Sequence, residues 1–354
     1  MATGRQIPAG RIPLCQQHQY TMAGHRPDPR DRGAHRRRDG GRKSLMRLLV
    51  TGASGLLGLN LALEASQHHT VFGVVRENPI KLDAFEVLQT DLLAPKAVED
   101  MLEHIQPDAI IHCAALAHVD ACEDDPTEAR RINAELPGFL AAKTAEEAIP
   151  FVQVSTDGVF DGQRGDYTEA DEPNPLSIYA RTKLEGEGYV SEFHPGAIIA
   201  RANMFGWSPS GQRSLAEFFY NNLSANNPVK GFTDVYFCPL LVNDLAQILL
   251  AMLDKKLTGL YHTVSSDCIS KYDFGVAIAR RFGLDESLIT AISVDDAGLS
   301  AARSPKLTLS SEKLARDLGQ PIPTIEEGME RFHSLHKENY PQKLQEMRGV
   351  PSKS

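Results

Sequence analysis

The stretch MRLLVTGASGLLGLNLALEASQ runs from Met46 to Gln67. Its first part, MRLLVTG, is a short apolar strand, and LLGLNLALEASQ has helical period. Between them lie Gly52, Gly55 and Gly58, spaced three apart. Glycine permits a tight turn and a close backbone approach to a pyrophosphate. The helix that follows offers free N–H groups and the positive end of its dipole. Glycine turns are common, so the triplet by itself says little. Its place between strand and helix makes a dinucleotide cradle of Gly52, Ser54, Gly55, Leu56, Leu57 and Gly58 the stronger reading.

The next strand, TVFGVV, leads to Arg76 and then Glu77. A basic residue at this place suits the 2′-phosphate of NADP, and an acid suits the ribose hydroxyls of NAD. Arg76 therefore favours NADP(H), with NAD(H) open through Glu77. An ordinary surface arginine is the plainer alternative.

Strands and helices go on alternating. FEVLQTDL, DAIIHCAA and PFVQVST read as strands. PKAVEDMLEHIQ reads as an amphipathic helix with Met101, Leu102 and Ile105 on one side, and EARRINAELPGFLAAKTAEEA as one long helix despite its proline. This alternation predicts an α/β fold, a doubly wound parallel sheet over residues 46–200. Beyond 200 the regularity loosens. LVNDLAQILLAMLDKK is a helix, GLYHTVS a strand, and Ser270 caps a helix in KYDFGVAIARRFG. Residues 201–335 are expected to form a smaller substrate-binding lobe, and 336–354 a polar, fraying tail.

Residues 1–45 are different. They hold ten Lys/Arg and three Asp, a balance of +7, so the net charge of −9 leaves −16 for the remainder. RPDPRDRGAHRRRDGGRK has no hydrophobic periodicity and is expected to be disordered. It reads as a dispensable tail or an over-extended start, with Met46 where a domain would begin. The acidic remainder argues against a nucleic-acid surface. No apolar run approaches membrane-spanning length. Five cysteines, at 15, 113, 122, 238 and 268, form no CxxC pair and no even ladder. Neither a zinc site nor a disulfide is expected, and a reduced, cytoplasmic location follows. The histidines show no metal-ligand spacing.

Two further groups carry chemistry. SIYARTKLEGE places Tyr179 and Lys183 four apart, on one helix face. A phenol serves as acid or base when an adjacent ammonium draws its pKa down, and the lysine can also hold the nicotinamide ribose. YxxxK alone is a frequent accident of sequence. Here Ser155 and Thr156 end a predicted sheet strand 23 residues upstream, at the edge where such sheets bind ligands. A hydroxyl there can bond a substrate oxygen while Tyr179 exchanges its proton. Ser155 and Asp157 are therefore expected on the substrate side.

These residues, in this order, resemble the extended short-chain dehydrogenase/reductase superfamily over roughly residues 46–332. STDGVFDGQRGDYTEADEPNPLSIYARTKLEGE most resembles the dTDP-4-dehydrorhamnose reductase family, whose pattern is STDYVFDG followed by YGxTKLxGE. The resemblance implies a Rossmann fold and a nucleotide-sugar substrate. It implies Thr156, Tyr179 and Lys183 as the catalytic set, Tyr179 protonating C4–O as hydride reaches C4. It implies Ala114 and Ala115 along the cofactor, Asp91 and Leu92 beside the adenine, and a supporting role for Asn133. Asn203 of RANMFGW and Arg303 are implied on the substrate side, and related enzymes are commonly homodimers. Two positions depart from the family pattern: Gly158 replaces a Tyr, and Met204 a Trp. Both leave the chemistry in place and change the sugar's surroundings.

Dehydratases of the superfamily read TDE and need a carboxylate where this chain has Gly158; epimerases read SSAxVYG. Neither pattern fits. A non-catalytic alternative is the NADP-binding regulatory subunit of methionine adenosyltransferase, which shares the resemblance. The intact Thr156–Tyr179–Lys183 set favours an enzyme.

Overall fold

The structure is a computed structural model and describes residues 45–297 and 304–349. The Arg-rich segment and Arg303 lie outside the described residues.

The first half begins with β1 (Arg47–Thr51), α1 (Leu56–Ser66), β2 (Thr70–Val75), β3 (Glu86–Gln89), α2 (Ala97–Ile105) and β4 (Ala109–His112). Two short helices, α3 (Val119–Asp124) and α4 (Pro126–Arg130), lead through a π-helical turn at Arg131–Glu135 into α5 (Leu136–Glu146). Then come β5 (Phe151–Thr156), α6 (Ile178–Phe193) and β6 (Ile198–Ala202). The expected single helix is present over residues 126–146, interrupted in its hydrogen-bond pattern by the π-helical turn. Pro137 follows the turn and has no N–H to make the regular i→i−4 bond, which accounts for the local change of pattern in an otherwise continuous helix.

The second half holds β7 (Met204–Phe205), α7 (Leu215–Ser224), β8 (Val229–Phe232), β9 (Tyr236–Phe237), β10 (Leu240–Leu241) and α8 (Val242–Asp254). It continues with β11 (Gly259–Thr263), β12 (Ile269–Ser270), α9 (Lys271–Phe282), β13 (Ile289–Ile292) and β14 (Lys306–Leu307). It closes with α10 (Glu312–Leu318), α11 (Ile325–Lys337) and α12 (Tyr340–Glu346).

A seven-stranded sheet runs β3-β2-β1-β4-β5-β6-β11, and every pairing in it is parallel. Strand pleat divides β1 between two cores. Leu48 and Val50 face α1 and α8, while Leu49 faces the side held by α2 and α5. The expected doubly wound sheet is therefore present. Its last strand, β11, and its covering helix α8 come from beyond residue 200, so the chain returns to the sheet after starting the lobe. The lobe itself is made of short strand pairs: β7 with β10, β8 with β13, and β9 between β12 and β14. Trp207 stacks on Phe332 at 4.0 Å inside it.

Two expectations are corrected. Within the expected tail, residues 336–349 are packed rather than frayed: Leu344 is fully buried, and the Tyr340 hydroxyl donates to Asn60 Oδ1 at 2.8 Å. Its polar composition hides an apolar face that α12 turns inward. Cys238 and Cys268 form a disulfide, with Cα atoms 4.1 Å apart. The antiparallel register Ile269↔Phe237 sets residues 268 and 238 opposite each other, a fact that sequence spacing does not carry. Cys113 and Cys122 are free. Among the described residues no helix is long and apolar enough to cross a membrane.

Candidate active site

The glycine turn lies where the sheet order reverses direction, between β1 and β4. Gly52 has φ +68°, and a Cβ there would come within 2.8 Å of the Ala114 backbone. A Cβ on Gly58 would lie 2.1 Å from the Gly52 carbonyl oxygen. Both glycines are thus demanded by close packing, the first against the segment after β4 and the second against the turn itself. The Gly55 N–H donates to the Gly52 carbonyl at 2.9 Å, and the Ala53 N–H to Val74 on β2 at 3.0 Å. Thr51 Oγ1 meets His112 Nδ1 at 2.7 Å, tying β1 to β4 beneath the turn. Burial and the nearby Lys183 ammonium push the His112 imidazole down to about 3, so it is neutral at physiological pH.

This turn fits a dinucleotide pyrophosphate: α1 opens at Gly55, where no side chain caps its N-terminal N–H groups. Ser54 and Leu56 are part-buried at its rim, whereas Leu57 is core. Arg76 ends β2 with 43% of its side chain exposed, ion-paired to Glu77 at 2.8 Å. Ala114 and Ala115 follow β4 beside the turn. Asp91 is exposed and accepts from the Leu93 N–H at 3.0 Å, but Leu92 packs into the core and cannot flank a ligand with its side chain.

The second group gathers at the end of β5. Thr156 Oγ1 accepts from the Gly158 N–H at 3.1 Å and caps the short turn Asp157–Val159. On α6, Tyr179 lies near Thr156, whose hydroxyl acts on its phenol, and the Lys183 ammonium donates to the Val154 carbonyl at 2.7 Å. The four-residue spacing thus delivers both side chains to one strand end. Ser177 caps α6 through the Ala180 N–H at 3.2 Å, and Glu123 takes the Ile178 N–H at 2.8 Å. Asn133 is buried on the π-helical turn. It accepts from the Leu116 N–H at 2.9 Å and donates to the Leu116 carbonyl at 3.1 Å and to Thr182 Oγ1 at 3.2 Å. It fixes the segment after β4 against α6, as a supporting residue should.

Electrostatics differ from expectation in one respect. The Tyr179 phenol is not lowered by its lysine. Burial pushes it up to about 12, with the Thr156 hydrogen bond opposing. Lys183 is itself pushed down to about 8 by burial, with Glu187 opposing.

A cleft of about 690 Å³ opens over Tyr179 and Gly158. Asp157 and Asn203 line it, joined by an Asn203 Nδ2 to Asp157 Oδ2 bond of 2.6 Å. Burial raises the Asp157 carboxyl. Ser155 is not in the cleft. Adjacent strand residues face opposite ways, and its hydroxyl donates to buried Glu187 at 2.5 Å. Sequence reasoning missed Lys271, Tyr236 and Leu176, which line the cleft from α9, β9 and the loop before α6. No motif marks the three. Glu187 was within reach, since it continues the spacing of Tyr179 and Lys183 by four.

The family model for the RmlD substrate binding domain matches residues 46–337. The probable low-salt glycan biosynthesis reductase Agl14 of Haloferax volcanii is 34% identical over 290 residues, spanning 80% of this chain and 96% of that protein. Methionine adenosyltransferase 2 subunit beta of Mus musculus is 33% identical over 288 residues, spanning 78% and 84%. Among solved structures, the dTDP-4-dehydrorhamnose reductase of Bacillus anthracis in complex with NADP superposes with a TM-score of 0.72 at 26% identity, covering 81% of this chain and 98% of that one. With the glycine turn, the Thr156 strand end and the Tyr179–Lys183 helix in the expected order, the chain belongs to the RmlD substrate-binding domain family and is an oxidoreductase of the extended short-chain dehydrogenase type.

Proposed function

We propose that this protein is an NADP(H)-dependent reductase of a nucleotide-activated 4-keto-deoxysugar, similar to dTDP-4-dehydrorhamnose reductase. What supports the reading is that Tyr179 lines one cleft, with Thr156 capping the strand end next to it and Lys183 bonded to the Val154 carbonyl of the same strand, in a fold whose glycine turn fits a pyrophosphate. The Bacillus relative holds NADP, and Arg76 at the end of β2 suits a 2′-phosphate, with NAD(H) a weaker possibility through Glu77.

When bound, the reduced nicotinamide supplies the hydride that reaches C4. The chain supplies the rest. The glycine turn and α1 N-terminus bind the pyrophosphate, and Arg76 the 2′-phosphate. Thr156 orients the C4 oxygen. Tyr179, kept protonated by burial, donates its proton to that oxygen. Lys183 then faces the phenolate with its ammonium and lowers the cost of leaving charge there. Asp157 and Asn203 hold the sugar side of the cleft.

The test is absorbance at the nicotinamide band with NADPH and a panel of nucleotide-linked 4-keto sugars, wild type beside Tyr179→Phe. Oxidation that the variant loses supports the reading. A second reading, a non-catalytic NADP-binding subunit, is favoured by the 33% identity to the methionine adenosyltransferase subunit. Tight NADPH binding with no turnover on any sugar would move the conclusion there. A cytoplasmic homodimer completes the proposal, and sedimentation of the purified chain tests the dimer.

A further inference from the structure

Tyr179, Lys183 and Glu187 lie four apart along α6 and so form one row on the face turned to β5. Glu187 ends that row in a buried ion pair. Arg201 on β6 donates from Nε at 3.1 Å to each of its oxygens and from Nη2 at 2.7 Å to Oε2. Ser155 donates to Oε1 at 2.5 Å. Ser155 and Arg201 are paired across β5 and β6, and His262 is paired with Arg201 across β6 and β11. The Arg201 guanidinium sits 5.1 Å from the Phe160 ring centre, and its Nη1 is buried without a partner. Burying both ions costs more than their attraction returns in many proteins, and a well-packed apolar pair serves stability as well. A charged pair immediately behind the site lysine therefore calls for a functional reason.

Lys183 provides one. Its neighbours one helical turn away on α6 are Tyr179 and Glu187, the carboxylate attracting its charge, and from β4 and the residue after it His112 and Cys113 interact with it. At neutral pH His112 is uncharged, burial holds the Cys113 thiol up at about 12, and the Tyr179 phenol is protonated. Among these groups Glu187 is the one anion. We propose that Glu187 is a positioning residue: clamped by Ser155 and Arg201, its carboxylate is the counter-charge that keeps the Lys183 ammonium charged and seated at the end of β5. Three residues, Glu187 with its partners Ser155 and Arg201, thus act through one lysine on the proton donor. The inference rests on the reductase reading for its consequence but not for its test.

The test is the titration of Lys183 itself, by NMR of the full chain labelled with ε-¹³C lysine, the resonance assigned with Lys183→Arg. In Glu187→Gln the midpoint is expected to fall by about one pH unit. NADPH affinity near the wild-type midpoint should weaken several-fold, because the ribose loses its ammonium. Glu187→Gln leaves Arg201 without its partner and can misfold. The double variant Glu187→Met/Arg201→Met removes both charges while keeping bulk; with the Arg201 cation gone as well, its midpoint should fall less than in Glu187→Gln but still lie below wild type. Ser155→Ala keeps the ion pair and should leave the titration in place. An unmoved Lys183 midpoint in either folded carboxylate variant overturns the proposal. Failure of the wild type to turn over any keto sugar would instead overturn the reductase reading, and the titration would still decide the role of Glu187.

Discussion

The Lys183 ammonium donates to the main-chain carbonyl of Val154 at 2.7 Å, one turn of helix below Tyr179. The lysine is therefore both a strut between α6 and β5 and the cation of the site. Burial pushes it down to about 8, which fixes the sign of two pH effects. Reduction should decline as pH rises through about 8, where the ammonium is lost. Its effect on stability runs the other way. Below pH 8 the folded state carries a buried charge that the unfolded chain hydrates, and this cost fades as pH climbs from about 8 to the ordinary lysine value of 10.5. Relative to Lys183→Met, wild type should gain stability across that window. Denaturant unfolding of both proteins at pH 7 and pH 10 measures the difference, and a constant gap would refute it.

Tyr179→Phe removes the proton donor and little else. Loss of general acid catalysis should cost about 10²–10⁴ in kcat, with NADPH affinity unchanged. With the wild-type phenol at about 12, the alkaline limb of the rate profile belongs to Lys183 and not to Tyr179. Should the limb move to pH 10 or above, that assignment fails.

Gly52 and Gly158 look alike in sequence and differ in need. Gly52 has φ +68° and would press a Cβ to 2.8 Å from Ala114. At Gly158, outside the left-handed region, a Cβ would meet Thr156 Oγ1 at 3.4 Å and the Ala180 Cβ at 3.9 Å, ordinary contacts. Gly52→Ala should destabilise by about 2 kcal/mol and abolish NADPH binding. Gly158→Ala should fold within about 0.5 kcal/mol of wild type, and Gly158→Tyr should raise KM for the sugar nucleotide while leaving NADPH affinity alone. Equal losses from both alanine variants would contradict the steric argument.

The glycine turn and the Tyr179–Lys183 pair were legible in the sequence because local geometry sets them. A strand–turn–helix step needs its glycines within a few residues, and an i,i+4 pair shares a helix face wherever the helix sits. The facing of Ser155 was misread: it was expected on the substrate side, but adjacent strand residues face opposite ways and its hydroxyl turns to Glu187 instead. What the sequence hid depends on long-range pairing. GLYHTVS reads as a strand, but nothing in it says that β11 joins the first sheet beside β6. The inward face of α12 becomes evident only once Tyr340 is seen against Asn60. Lys271 and Tyr236 reach the cleft through the register of β9 and β12, which no spacing along the chain encodes.

That same register carries the last prediction. Cys238 and Cys268 are joined across 30 residues, between the strand that carries Tyr236 and the segment that leads to Lys271. A cross-link closing a loop of this length restrains the unfolded chain by about 3–4 kcal/mol. Under denaturing conditions without reductant, an alkylating agent should label Cys15, Cys113 and Cys122 and spare Cys238 and Cys268. Added dithiothreitol should open both to labelling and lower the unfolding midpoint in urea. Peptide mass mapping reads the first outcome and fluorescence the second. Labelling of Cys238 or Cys268 before reduction would show that the protein keeps these thiols apart, and the wall of the cleft would then rest on the pairing of β9 with β12 and β14.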